Sequence, residues 1–249
     1  MLLAIDIGNT NISYGLFQNN ALLKQGKVPV CSGKYVDSLR HLPLKEMEAV
    51  IISSVVPRVL TRLRRELRKE LKAPLFILGE NLTVPIANRY KRPREVGQDR
   101  LVNAYAGYKL YGGGLIIVDF GTAVTFDLVS RKGEYWGGII FPGLRTSLEA
   151  LCQRAALLPK KMKLISPRHL IGQSTAESIR SGIYYGFASL TNCMVNRIKR
   201  ERKKNLKIII TGGDAREIYP FLGDIGILKP DLTLIGLMLT YLSERKNEK

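Results

Sequence analysis

Three short stretches carry the residue types that phosphoryl chemistry needs. The apolar run Leu2 to Ile7 ends on Asp6-Ile7-Gly8-Asn9-Thr10 and leads into a second strand-like run from Ile12. A glycine in a tight turn lets the backbone approach a ligand, and successive N–H groups then form an anion nest. Asn9, Thr10 and Asn11 add side-chain donors. A carboxylate at the strand end would repel phosphate unless Mg²⁺ lay between them, usually through water. The plainer alternative is a hairpin in which Asp6 bonds its own turn amides. Asp119-Phe120-Gly121-Thr122-Ala123 repeats the arrangement later in the chain. The third stretch, Gly97-Gln98-Asp99-Arg100, stands between a basic loop and a helix start. Asp99 there is either the helix N-cap or a general base for a substrate hydroxyl, with Arg100 beside it for an anionic group. In phosphoryl transfer the protein mainly positions and neutralises, so one such aspartate among cations suffices.

Other chemistries find no support. GxxxxGK[ST], the HRD…DFG set and GxSxG are all absent, and His41 and His169 stand apart without metal-ligand spacing. The three cysteines, Cys31, Cys152 and Cys193, are far apart and odd in number. They fit a reducing compartment and exclude a disulfide scaffold or a CxxC site. No apolar stretch reaches the roughly 20 residues of a membrane helix. The N-terminal apolar run has no basic leader before it and stops at Asp6, so the expected location is cytoplasmic. The net charge of +18 raises the question of a nucleic-acid partner. Much of it falls in Arg62 to Lys72 and Arg197 to Lys207, where apolar residues recur at helical spacing, as on solvated helix faces. No aromatics interleave with these runs, so no specific nucleic acid is expected. A DNA-associated regulatory protein remains the competing reading of the charge.

The elements that would position these residues follow one plan twice. Strands are expected at Leu2 to Ile7, Ile12 to Phe17, about Ala21 to Lys27, and in AVIISSVV and APLFIL. Helical patterns lie around Ser38 to Met47, from Pro57 through the Arg-rich stretch, and in DRLVNAYAGYKLY. After Gly112-Gly113-Gly114 the series restarts with LIIVDF, AVTFDLV and EYWGGIIF. Helices at Leu144 to Leu151 and Ala176 to Arg200, the strand KIIIT, a short helix at Ala215 to Phe221, a strand at Ile225 to Leu228 and a helix at Leu232 to Leu242 complete it. This is an α/β protein in two halves, 1–112 and 113–249, repeated in architecture but not in text. Open α/β sheets place ligands at the carboxyl ends of strands, where both Asp-Gly elbows fall.

DIGNTN, GQDR, DFGTAVTFD, GGIIFPG and GQST…SG, in that order, resemble type III pantothenate kinase from Leu2 to about Leu242. The resemblance implies two ribonuclease-H-like halves of the acetate-kinase, sugar-kinase, Hsp70 and actin superfold, each with a mixed five-stranded sheet flanked by helices. It implies ATP-dependent phosphorylation of (R)-pantothenate at its terminal hydroxyl, the first committed step of coenzyme A synthesis. By motif, Asp6, Ile7, Gly8, Asn9, Thr10, Asn11, Ile12 and Ser13 would hold the ATP phosphates, with Asp6 toward Mg²⁺. Asp99 would accept the proton, and Tyr90, Gly97, Gln98 and Arg100 would line the pantothenate site; the family usually has Ala where this chain has Gln98. Asp119 matches the ligand of a monovalent cation, K⁺ or NH₄⁺, and Thr122 an ATP contact. Thr175 matches a threonine that closes the pantothenate pocket from the partner of a homodimer, although Ser174-Thr175-Ala176-Glu177 also reads as a capping box. Gly212-Gly213-Asp214 is either an adenosine contact or a strand-to-helix turn. A phosphohydrolase of the same superfold, with water in place of the alcohol, is a further reading.

Overall fold

The computed structural model describes residues 1–202 and 205–247, so Lys203 and Lys204 of the second basic run lie outside the described residues. The chain divides into two compact units. One comprises Met1–Leu110 with Asp231–Lys249, and the other Tyr111–Pro230.

The first unit is built on β1 (Leu2–Ile7), β2 (Asn11–Gln18), β3 (Ala21–Pro29), β4 (Ala49–Ser54) and β5 (Leu75–Ile77), in the sheet order β3-β2-β1-β4-β5. Strands β1, β2 and β3 form an antiparallel meander, and β4 and β5 add in parallel. The Asn19-Asn20 turn between β2 and β3 has positive φ at both residues, as a two-residue hairpin requires. Central β1 is covered on both faces, which is why it reads as a near-continuous apolar run. Its Leu3, Ile5 and Ile7 join a core with Val50 and Ile52 of β4. That core is closed by α1 (Tyr35–Leu39) and by α2 (Pro57–Glu70), whose Val59, Leu63 and Leu67 face inward. The expected helix at Ser38 to Met47 is instead the end of α1 and a short 3₁₀ turn at Leu44–Glu46, separated by Pro43. The two-residue strand β6 (Ala87–Asn88) and a loop lead into α3 (Gln98–Tyr111).

The second unit repeats this plan with β7 (Leu115–Phe120), β8 (Ala123–Val129) and β9 (Glu134–Pro142), then α4 (Leu144–Arg154), α5 (Thr175–Arg202), β10 (Lys207–Thr211), α6 (Ala215–Leu222) and β11 (Ile227–Leu228). Its strands lie in the order β11-β10-β7-β8-β9. Reading from the meander outward, the two orders and the strand directions coincide: three antiparallel strands, then two parallel ones beside the first.

The division differs from halves at 1–112 and 113–249. The closing helix α7 (Leu232–Asn247) returns to the first unit, where it packs on β1, β2 and β4. Gly236 makes this docking close. A Cβ there would stand 2.5 Å from Val102 Cγ1 and 2.7 Å from the Val102 carbonyl oxygen of α3.

Candidate active site

In the first unit the hydrogen-bond ladder decides which way Asp6 faces. Side chains alternate across a strand, so with Leu3, Ile5 and Ile7 in the α2-side core, Ala4 and Asp6 face the opposite side. Ala4 pairs with Gly15, and a Cβ on Gly15 would stand 3.3 Å from Leu234 of α7, so this is the face that α7 covers. Because α7 in turn packs on α3, the first turn of α3 carries Asp99 toward Asp6. The result is electrostatic. The Asp6 carboxyl is raised to about 7, first by burial and then by the neighbouring Asp99 carboxylate.

Asp6 is flanked across the ladder by Ser13 and Ser53. The Ser53 hydroxyl favours the ionised form of Asp6, but it stands short of a well-formed hydrogen bond: Ser53 Oγ is buried without a partner among the described residues. Beyond Asp6 the chain turns through Gly8, Asn9 and Thr10, closed by Gly8 N–H donating to the Asn11 carbonyl at 3.0 Å. Val30 N–H holds the Thr10 carbonyl at 2.9 Å from the side, and Asn9 and Thr10 stay exposed at the tip. Ile7 and Ile12 are core residues beneath the turn; Ser13 is half-buried.

Helix α3 starts two residues earlier than an Asp99 N-cap would require. The Gly97 carbonyl accepts the N–H groups of Arg100 and Leu101, so Gly97 occupies the cap and Asp99 the first turn. Asp99 Oδ1 accepts the Arg100 N–H at 2.9 Å. It stands where a Cβ on Gly97 would come within 2.4 Å, so the glycine is what lets the carboxylate occupy this position. Arg100 is 9% exposed, and its guanidinium is drawn into the protein. The Gln98 amide packs over Gly79, 3.6 Å from where a Cβ there would be. Tyr90 is half-buried in the preceding loop, where its N–H donates to Asn88 Oδ1 at 3.0 Å.

In the second unit Asp119 ends β7 between Thr125 and Thr211. The elbow is tighter than the first, with Gly121 N–H donating to the Ala123 carbonyl at 3.0 Å. Two other segments seat on it. Gly143, at the start of α4, donates to the Thr122 carbonyl at 2.8 Å, and the Thr146 hydroxyl donates to the same oxygen at 2.8 Å. Gly212, with φ of +105°, crosses the end of β7 so closely that a Cβ would lie 2.4 Å from Asp119 Oδ1. The Gly212-Gly213-Asp214 stretch is thus a strand-to-helix turn resting on the elbow. Asp214 Oδ1 accepts from Arg145 Nε at 2.9 Å. At the start of α5 the Glu177 N–H donates to Ser174 Oγ at 3.3 Å, and Glu177 Oε2 accepts the Gln173 N–H at 2.8 Å. Ser174 is therefore the cap, and Thr175 stands exposed beside it.

The chain thus gathers Asp6, the turn 8–11 and Asp99 to Arg100 in one unit, and Asp119, Thr122 and the 212–214 turn in the other. Ser53 and Thr211 were missed in the sequence, where each reads as the polar end of an apolar strand; the signal is a hydroxyl facing a strand-terminal aspartate in register. Among the described residues no group of three or more His, Cys, Asp and Glu converges as a metal cage. Asp6, Asp99 and the unpartnered Ser53 hydroxyl are hard oxygen donors, which fit a Mg²⁺ ion that keeps most of its waters and leans on one or two carboxylates.

A sequence profile described as type III pantothenate kinase matches residues 2–197. The type III pantothenate kinase of Geobacter sulfurreducens is 43% identical, and the match covers all of both chains. That of Moorella thermoacetica is 41% identical over 97% of this chain and 98% of its own. Among solved structures, a conserved Baf family transcriptional activator from Campylobacter jejuni superposes with a TM-score of 0.61 at 20% identity, covering 98% of this chain and 99% of that one. The (R)-2-hydroxyglutaryl-CoA dehydratase component A of Acidaminococcus fermentans gives 0.57 at 14% identity, over 100% and 99%. Such distant likenesses establish the shared two-lobed α/β fold and nothing of the chemistry. Full-length identity with the kinases carries more, and the motif order, the repeated sheet and the matched relatives agree: the chain belongs to the type III pantothenate kinase family.

Proposed function

We propose that this kinase transfers the γ-phosphoryl group of ATP to the terminal hydroxyl of (R)-pantothenate with Asp99 as general base, the first committed step of coenzyme A synthesis. The observation that carries the role of Asp99 is its place beside Asp6, on a helix start where a cap glycine leaves room for its carboxylate. A base there takes the hydroxyl proton as the alkoxide oxygen forms its bond to phosphorus and the bond to the ADP oxygen breaks. The Asp6–Ser13 hairpin cradles the phosphates, and Thr122 is assigned an ATP contact by its motif. Mg²⁺, when bound, would neutralise phosphate charge, and Asp6 would be the residue that holds it through water. Arg100 meets the pantothenate carboxylate, with Tyr90, Gly97 and Gln98 lining the same site. Asp119 takes the monovalent cation, K⁺ or NH₄⁺. Thr175, not consumed by helix capping, closes the pocket of the partner subunit in a homodimer. No helix of the described residues is long and apolar enough to cross a membrane, and cytoplasmic action fits substrates that are soluble there.

The test is the fate of phosphate. With ATP, pantothenate, Mg²⁺ and K⁺, ³¹P NMR should show a new phosphomonoester on pantothenate; inorganic phosphate alone would mean a hydrolase. Replacing K⁺ by Na⁺ should lower the rate, and equal rates would remove the role given to Asp119. Light scattering should give twice the 27.9 kDa chain mass.

A further inference from the structure

The two units repeat more than strand order. In each, the carboxylate ending the first strand faces hydroxyl residues on both neighbouring strands: Ser13 and Ser53 beside Asp6, Thr125 and Thr211 beside Asp119. Ser53 and Thr211, on the parallel side, are each 0% exposed, and the hydroxyl oxygen of each has no hydrogen-bond partner among the described residues. An unpaired buried hydroxyl costs about 1–3 kcal/mol, and native proteins carry few. The antiparallel side of the second unit shows the contrast, since the Thr125 hydroxyl is already engaged, donating to Asp127 Oδ2 at 2.8 Å. Two unsatisfied hydroxyls at equivalent places in units of different sequence point to something that completes them. Packing alone would be served by alanine and valine.

At the first elbow the partner can be named by its chemistry. From this we infer that Ser53 is a positioning residue for the nucleotide's divalent cation, its hydroxyl fixing a water of the cation's hydration shell against Asp6. Mg²⁺ sheds its waters reluctantly and is held largely through them. A serine hydroxyl has one donor and two acceptor sites to offer such a water, and outer-shell partners orient what the ion holds. Ser53 lies directly across the β1–β4 ladder from Asp6 and has no other polar contact to lose. The inference rests on the kinase reading of this site.

Calorimetric titration of ADP in MgCl₂ and again in EDTA tests it. For the wild-type chain Mg²⁺ should raise ADP affinity. Ser53→Ala should cut that enhancement about tenfold, the low end for loss of an outer-shell partner. Its ADP affinity in EDTA should match wild type, and its Tm without ligand should be no lower than wild type, since the unpaired hydroxyl is gone. Ser53→Thr, the residue type at the equivalent place in the second unit, should keep the enhancement. An unchanged enhancement in Ser53→Ala overturns the inference, as does an equal loss of ADP affinity in both buffers accompanied by a lowered Tm, which would make Ser53 merely structural. A wild-type chain that binds no ADP in either buffer fails the kinase reading itself and the inference with it.

Discussion

At Asp6 burial and the Asp99 carboxylate both disfavour ionisation, raising its pKa from 3.8 to about 7. The folded chain therefore holds this proton more tightly than the unfolded chain does, so the contribution to stability is full below about pH 4 and is lost as pH rises through about 7. Asp6→Asn removes that dependence. In the absence of nucleotide its Tm should exceed wild type at pH 8 and converge on it near pH 4; a constant difference across the range would mean that Asp6 is not shifted. Gly97 offers a second handle, because a methyl group there would displace Asp99 Oδ1. Gly97→Ala should lower kcat about 10²-fold, the scale of an ångström of misplacement, while costing about 1 kcal/mol or less of stability at the cap. A variant with wild-type kcat would show that the position of Asp99 does not matter. The elbow aspartates were legible in the sequence because a carboxylate ending an apolar strand is costly without a use. Ser53 was not, since its importance lies in the β1–β4 register, a pairing between residues 47 positions apart that no local pattern encodes.

Elements were read best where periodicity and packing agree. In α2 the buried Val59, Leu63 and Leu67 follow one another at intervals of four. Two of its arginines pair with carboxylates, Arg62 with Glu66 and Arg64 with Glu80, and its own Glu70 pairs with Arg40. The Arg-rich stretch is thus a solvated helix surface, with pairs worth about 0–1 kcal/mol each. Between Ser38 and Met47 a helical pattern was outweighed by Pro43, which lacks the N–H a continuing helix needs. Propensity and packing conflict most directly at Gly236 in α7. Helix propensity alone would make Gly236→Ala stabilising by about 1 kcal/mol. Here the new methyl would meet the Val102 side chain and carbonyl oxygen at 2.5 and 2.7 Å. Overpacking of this kind costs about 1–3 kcal/mol, so denaturant unfolding should show net destabilisation; a more stable variant would mean that α7 can slide on α3.

For the molecule as a whole, the repeat was legible and the ownership of the last helix was not. Chain order assigned α7 to the second half, but its Leu232, Leu234, Leu237, Met238 and Tyr241 are buried and it packs on β1, β2 and β4. Burial at about 1.5–3 kcal/mol for each large side chain is comparable with the whole stability of a domain, about 5–15 kcal/mol. A chain ending at Pro230 should therefore lose the cooperative calorimetric transition of the first unit, and an unaltered transition would detach α7 from that unit's core. The role proposed for Asp99 depends on the same framework, because β1 and α3 bring Asp6 and Asp99 together only when the first unit is folded. The most direct measurement is ATP-dependent phosphorylation of pantothenate by wild type and Asp99→Asn, followed by coupled ADP release with Tm measured in parallel. The account predicts a fall in kcat of at least about 10²–10⁴-fold with Tm near wild type; an Asp99→Asn chain that phosphorylates pantothenate at the wild-type rate would contradict it.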